Sequence, residues 1–100
     1  MMSKENFSKP EFSIVIPNWN GAEFAARGIS SLLISARAYG KPFEMIVVDD
    51  ASTDAAPRII AETFPDIHLL RNEQNKGFGA SVNRGVAAAK APIIVLANND

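Results

Sequence analysis

Four short apolar runs alternate with three stretches of helical periodicity, and proline or glycine stands at most of the junctions. Phe12-Ser13-Ile14-Val15-Ile16 is a β-branched run met by Pro17, which has no N–H for a sheet ladder and is expected to end the strand. From Ala22 to Ala38, small or apolar residues recur at Ala25, Ile29, Leu32, Leu33 and Ala36, the spacing of a helix with one buried stripe. Gly40 and Pro42 stop it. Phe43 to Val48 reads as a second strand leading into Asp49-Asp50. A second helical stripe follows at Ala56, Ile59, Ile60, Thr63 and Phe64, with Asp54 as the expected N-cap and Pro57 in the first turn, where its missing N–H breaks no bond.

Pro65 closes that helix, and Ile67-His68-Leu69-Leu70 is a short third strand. After a polar link, Phe78, Val82, Val86 and Ala89 mark one face of a third helix ending at Pro92. Ile93 to Leu96 is a fourth strand, apolar throughout and expected to be buried. Strands without polar alternation, each joined to the next through a helix, require both sheet faces to be covered. The expected fold is α/β: a Rossmann-like, three-layer α/β/α arrangement with a mostly parallel sheet of about four strands and right-handed crossovers.

Such a sheet binds ligands just past the carboxyl ends of its strands. Those ends are Pro17-Asn18-Trp19-Asn20-Gly21, Asp49-Asp50-Ala51-Ser52-Thr53-Asp54, Arg71-Asn72-Glu73-Gln74-Asn75-Lys76-Gly77 and Asn98-Asn99-Asp100. All four are rich in hydrogen-bonding or charged side chains. The opposite ends, Tyr39 to Pro42, Pro65-Asp66 and Lys90 to Pro92, hold ordinary turn residues. The asymmetry localises a site to one edge.

Each residue there has two readings. Trp19 offers a flat π-surface to a nucleobase, or it packs. Asp49 and Asp50 can accept hydrogen bonds from base or ribose, or cap the following turn together with Ser52, Thr53 and Asp54. Gly77-Phe78-Gly79 resembles a phosphate-cradling turn at a helix start, but the third glycine of a dinucleotide fingerprint falls at Val82, so that motif fails. Arg71 and Lys76 suit a diphosphate or a solvated surface. His68, inside an apolar run, reads as a core or edge residue. A phospho-receiver module needs an aspartate after the third strand, where this chain has Arg71-Asn72.

Composition removes other classes. One hundred residues make at most one domain, 47% of them apolar and 21% charged, with a formal charge of −1 that gives no reason to expect nucleic acid as a partner. There is no cysteine, hence no disulfide and no thiolate metal site. The longest apolar stretch, Ile93 to Ala97, is too short to span a bilayer. Residues 1–11 are expected to be a flexible lead-in.

Taken in order, Phe12 to Asn20, Val47 to Asp54, Asn75 to Gly85 and Leu96 to Asp100 resemble the opening half of an inverting family 2 glycosyltransferase, with Asn-Trp-Asn and Asn-Asn-Asp variants similar to rhamnosyltransferase-type members. The resemblance implies that residues 12–100 are part of a GT-A nucleotide-sugar-binding domain, truncated after a DxD-like motif. It implies a nucleotide site made of Pro17, Trp19, Asn20, Asp49, Asp50, Gly77, Asn83 and Asn98. Pro17 and Trp19 would line the base pocket, Asp50 would bond the base or ribose with Asp49 beside it, and Gly77 to Asn83 would lie near the sugar diphosphate. Asp100 would bind Mg2+ or Mn2+ on that diphosphate, with Asn98 standing where the motif has its first acid.

The implied reaction moves a sugar from a nucleotide-diphospho-sugar donor to a saccharide or lipid-linked acceptor, with inversion, in polysaccharide or cell-envelope biosynthesis. The general base is expected beyond residue 100, so the hundred residues alone are expected to be inactive. The alternative is a non-catalytic nucleotide-binding or interaction module. The expected place is the cytoplasm, at the inner face of the membrane for a longer protein, and an exposed fourth-strand edge is expected to favour self-association.

Overall fold

The computed structural model describes residues 9–98. Strands β1 (Phe12–Asn18), β2 (Phe43–Asp49), β3 (His68–Arg71) and β4 (Ile93–Leu96) alternate with helices α1 (Ala22–Tyr39), α2 (Ala56–Thr63) and α3 (Phe78–Ala88). The strands form one parallel sheet in the order β3-β2-β1-β4. The chain therefore steps outward twice from β1, then returns to its other side, and the switch point lies between β1 and β4.

Side-chain alternation along the strands divides the sheet's two faces. Ile14, Ile16, Met45 and Val47 form the main core with Ala25, Ile29, Leu33 and Ala36 of α1 and Ile60 of α2. Val15 and Val48 point the other way, toward α3. Helices thus cover both faces, as the sequence predicts.

Four elements differ from the sequence reading. Pro17 does not end β1; it stays in register with Val48. The Asn18 carbonyl accepts from Asp50 N at 2.8 Å on the β2 side, and the Val15 carbonyl accepts from Ala97 N at 3.0 Å on the β4 side. By alternation the nitrogen of Pro17 faces β4, past the last paired residue Leu96, so its missing N–H interrupts no bond to β2.

In α2 the cap position falls on Ala55 rather than Asp54, although the Asp54 carboxylate still receives Ala56 N at 2.9 Å. In α3 the buried positions are Ser81 and Gly85, whereas Phe78 and Val86 are exposed. Small residues win that face because the helix lies almost against the sheet. β4 is exposed at every residue, which departs from the burial its apolar run suggests but agrees with the exposed fourth-strand edge expected of a partial domain. β1 covers one of its edges, and no strand among the described residues covers the other.

Candidate functional site

Past the carboxyl ends of β1 and β2, two loops are tied together. The Asn18 amide donates to Asp49 Oδ1 at 3.2 Å and to the Asn20 carbonyl at 3.4 Å. Asn20 N donates to Ser52 Oγ at 2.7 Å, and Thr53 N donates to Asn20 Oδ1 at 2.8 Å. Ser52 in turn gives its hydroxyl proton to Asp49 Oδ1 at 2.6 Å and its N–H to Asp49 Oδ2 at 2.9 Å. Asp49 is wholly buried, so these bonds supply what water would otherwise give its charge; the Arg71 guanidinium is 3.9 Å away. Two non-glycine residues in this region have left-handed backbones, Asn20 at φ 54° and Ala51 at φ 59°.

Asp50 projects to the opposite face and organises the β3–α3 connection. Its Oδ1 accepts from Lys76 N at 2.8 Å and from the Asn72 amide at 2.9 Å, and its Oδ2 accepts from Gly77 N at 2.9 Å. Burial pushes this carboxyl's pKa up, but the bonds from Lys76, Asn72, Gly77 and Ser81 outweigh burial and hold it below the ordinary value. The amides that resemble a phosphate cradle are therefore aimed at a carboxylate of the chain itself. Gly77, at φ 94°, permits the turn that aims them.

Between these loops, at the switch point, lies a cleft of about 500 Å3, within the range of small-molecule sites. Pro17, Trp19, Asn20, Asp50 and Asn98 of the predicted set line it together. Asp49 and Gly77 sit behind it as supports, and Asn83 is exposed on α3 outside it. Asp100 lies outside the described residues.

Phe24 on α1 was not anticipated, whereas Phe78 at the start of α3 lies in the segment expected near the sugar diphosphate; they are 70% and 57% exposed and line the same cleft as the 59% exposed Trp19. For Phe24 the signal was available, since it falls outside the Ala25-Ile29-Leu33-Ala36 stripe. Three exposed aromatics around Asp50 and Ser81, with the exposed Asn98 at the rim, suit a planar ring attached to a polar group.

A divalent cation does not find a cage among the described residues. No group of three or more His, Cys, Asp or Glu is placed to hold one. Asp50 gives its oxygens to four internal donors, which leaves the neutral amide oxygen of Asn98 at the rim. No described helix is long and apolar enough to cross a membrane.

Comparison with known proteins agrees with this geometry. The family model "Glycosyl transferase family 2" matches residues 13–100. The chain is similar to the succinoglycan biosynthesis protein ExoO of Rhizobium meliloti, 33% identical over 91% of this chain and 26% of that protein. It is also similar to an undecaprenyl-phosphate 4-deoxy-4-formamido-L-arabinose transferase of Pectobacterium carotovorum, 29% identical over 88% of this chain and 28% of that one.

Among solved structures, it superposes on the mannosyltransferase PcManGT of Pyrobaculum calidifontis, in complex with GDP-Man and Mn2+, with a TM-score of 0.74 and 26% identity over 92% of this chain and 28% of that one. Residues 1–349 of S. aureus TarS in complex with UDP give 0.71 and 26% identity, covering 90% of this chain and 27% of that one. The chain thus spans about a quarter of the length of these relatives.

Proposed function

The chain belongs to glycosyl transferase family 2, and on that footing we propose that its cleft holds the nucleoside diphosphate of a nucleotide-sugar donor. The four parallel strands and three helices match the amino-terminal part of GT-A glycosyltransferases. One observation carries the reading: Trp19, Asp50 and Asn98, from three separate strand ends, line a single cleft at the switch point. Trp19 stacks on the base, with Pro17 beneath it. Asn98 offers hydrogen bonds to ribose or phosphate, while the fully buried Ser81, already bonded to Asn72 and Asp50, helps to hold the start of α3. Asp50, its oxygens already bonded, keeps the α3 start in place.

A longer protein containing these residues transfers the sugar to a saccharide or lipid-linked acceptor, with inversion, in polysaccharide or cell-envelope biosynthesis at the cytoplasmic side of the membrane. Relatives of both kinds support that class of reaction. Mg2+ or Mn2+ belongs on the donor diphosphate, where a hard cation stabilises the charge of the departing nucleotide. Asn98 and Asp100 are the residues of this chain that would offer it oxygen.

Abstraction of the acceptor proton needs a base of suitable pKa. Asp50 is the one carboxylate among the described lining residues, and its depressed pKa and internal bonds make it a poor one. The hundred residues alone therefore bind donor nucleotide without transferring sugar. Titration of UDP, dTDP and GDP with Mn2+ against the fluorescence of Trp19, the sole tryptophan, tests the site. Saturable quenching by one of them is expected, and unchanged emission at millimolar concentrations of all three would refute it.

A further inference from the structure

We infer that Asn20 and Ser52 are positioning residues for Trp19: the bonds that lock the β1–α1 loop to the β2–α2 loop fix the indole at the cleft mouth and so set affinity for the base. The inference rests on the nucleotide reading above and adds to it the part that prepares the stacking surface. Trp19 is largely exposed, and its side chain takes no part in the hydrogen bonding around it. Its two neighbours in sequence are both held. The Asn18 carbonyl accepts from Asp50 N, and the Asn18 amide reaches Asp49 and, across the turn, the Asn20 carbonyl. Asn20 is fixed at its N–H by Ser52 and at its side-chain oxygen by Thr53.

Ser52 is the hub. It is 8% exposed, its hydroxyl oxygen accepts from Asn20 N, and its proton goes to the buried Asp49. Asn20 at φ 54° suits the turn because asparagine tolerates the left-handed region better than most residues. Just beyond the turn, Ala22 N at the start of α1 lies 3.3 Å from Asp54 Oδ2, a further tie between the same loops. Anchored backbone on both sides fixes the point and direction from which the exposed ring projects before any ligand arrives, so stacking costs less conformational entropy.

The test is a double-mutant cycle on the full chain, with UDP and GDP as base-bearing probes and inorganic pyrophosphate as the probe without a base, all with Mn2+ and read by calorimetry. Ser52→Ala should weaken the better-bound nucleotide about tenfold and leave pyrophosphate unchanged, and Ser52→Thr should restore binding. In a Trp19→Ala background, Ser52→Ala should cost nothing further. Equal losses for nucleotide and pyrophosphate, or full additivity with Trp19→Ala, would overturn the assignment.

A ligand-free measurement separates this inference from the nucleotide reading. Trp19 fluorescence anisotropy should fall in Ser52→Ala and in Asn20→Ala, including in whichever variant stays folded if the other does not. Unchanged anisotropy in a folded variant refutes the clamp whether or not any nucleotide binds.

Discussion

Gly85 of α3 rests directly on Val15 of β1: a β-carbon at position 85 would overlap the Val15 Cγ1 methyl and approach Val48 Cγ2 to 3.2 Å. Both valines are completely buried, and valine at a fixed backbone has little rotamer freedom to yield. This contact sets the height of α3 above the sheet. It therefore also sets where Phe78, Ser81 and the Lys76–Gly77 amides stand relative to the cleft.

Gly85→Ala opposes two effects. Alanine gains about 1 kcal/mol of helix propensity over glycine, but inserting a methyl into a close-packed contact costs about 1–3 kcal/mol. Since the overlap is with a fully buried side chain, the steric cost should prevail. The expected result is a net loss of up to about 2 kcal/mol in urea unfolding. A stabilised variant would mean that α3 lies further from the sheet.

Asp50 makes stability depend on pH in a defined sense. Its folded pKa is depressed, so its contribution is complete above the unfolded carboxylate value of about 3.9 and is lost as pH falls through that value toward the folded one. Asp50→Asn points an NH2 group at donors, and at pH 7 it should cost about 2–3 kcal/mol. The gap between wild type and variant should narrow below about pH 4, measured by urea unfolding at several pH values. Parallel curves down to pH 2 would show that the carboxylate's internal bonds contribute little.

Phe24 and Phe78 are mostly exposed, so truncating them should change stability by no more than about 0.5 kcal/mol. As walls of the cleft they should matter for ligand. Base–aromatic stacking is worth about 1–3 kcal/mol per base, and a flanking ring should give the lower end of that range. Phe24→Ala and Phe78→Ala are each expected to weaken UDP or GDP binding about fivefold, with unfolding unchanged. Wild-type affinity in both would limit the aromatic contact to Trp19.

The element order and the strand faces were legible in the sequence because apolar periodicity reports burial directly. The α1 stripe, from Ala25 to Ala36, is buried as its spacing predicts. The α3 face was misread because Val82 and Val86 look more like core residues than Ser81 and Gly85 do. Periodicity registers hydrophobicity, whereas the close approach of a helix selects small side chains. The edge that carries the cleft was legible from the polar strand ends, three of which line it. The role of Asn20 was not, because its partners Ser52 and Thr53 lie more than thirty residues away, and pairing across a sheet has no local signature. For β4 the apolar run alone pointed to burial, whereas the expected lack of neighbours pointed to the exposure that the strand shows. A run of four apolar residues says what a strand prefers to touch, not what is present to touch it.

That exposed strand has a measurable consequence. Ile93, Val95 and Leu96 are 58%, 42% and 50% exposed, Ile94 is 37% exposed, and one edge of β4 has no partner strand among the described residues. Unpaired backbone groups flanked by apolar side chains are a template for another strand. The hundred-residue chain should therefore self-associate as concentration rises, and Val95→Lys, which places a charge on the strand without touching the main core, should shift it toward monomer. Multi-angle light scattering across a hundredfold concentration range distinguishes the outcomes. A wild-type chain that stays monomeric throughout would remove β4 as an association surface, whereas association unchanged by Val95→Lys would move that surface to the exposed side chains of α1 or α3.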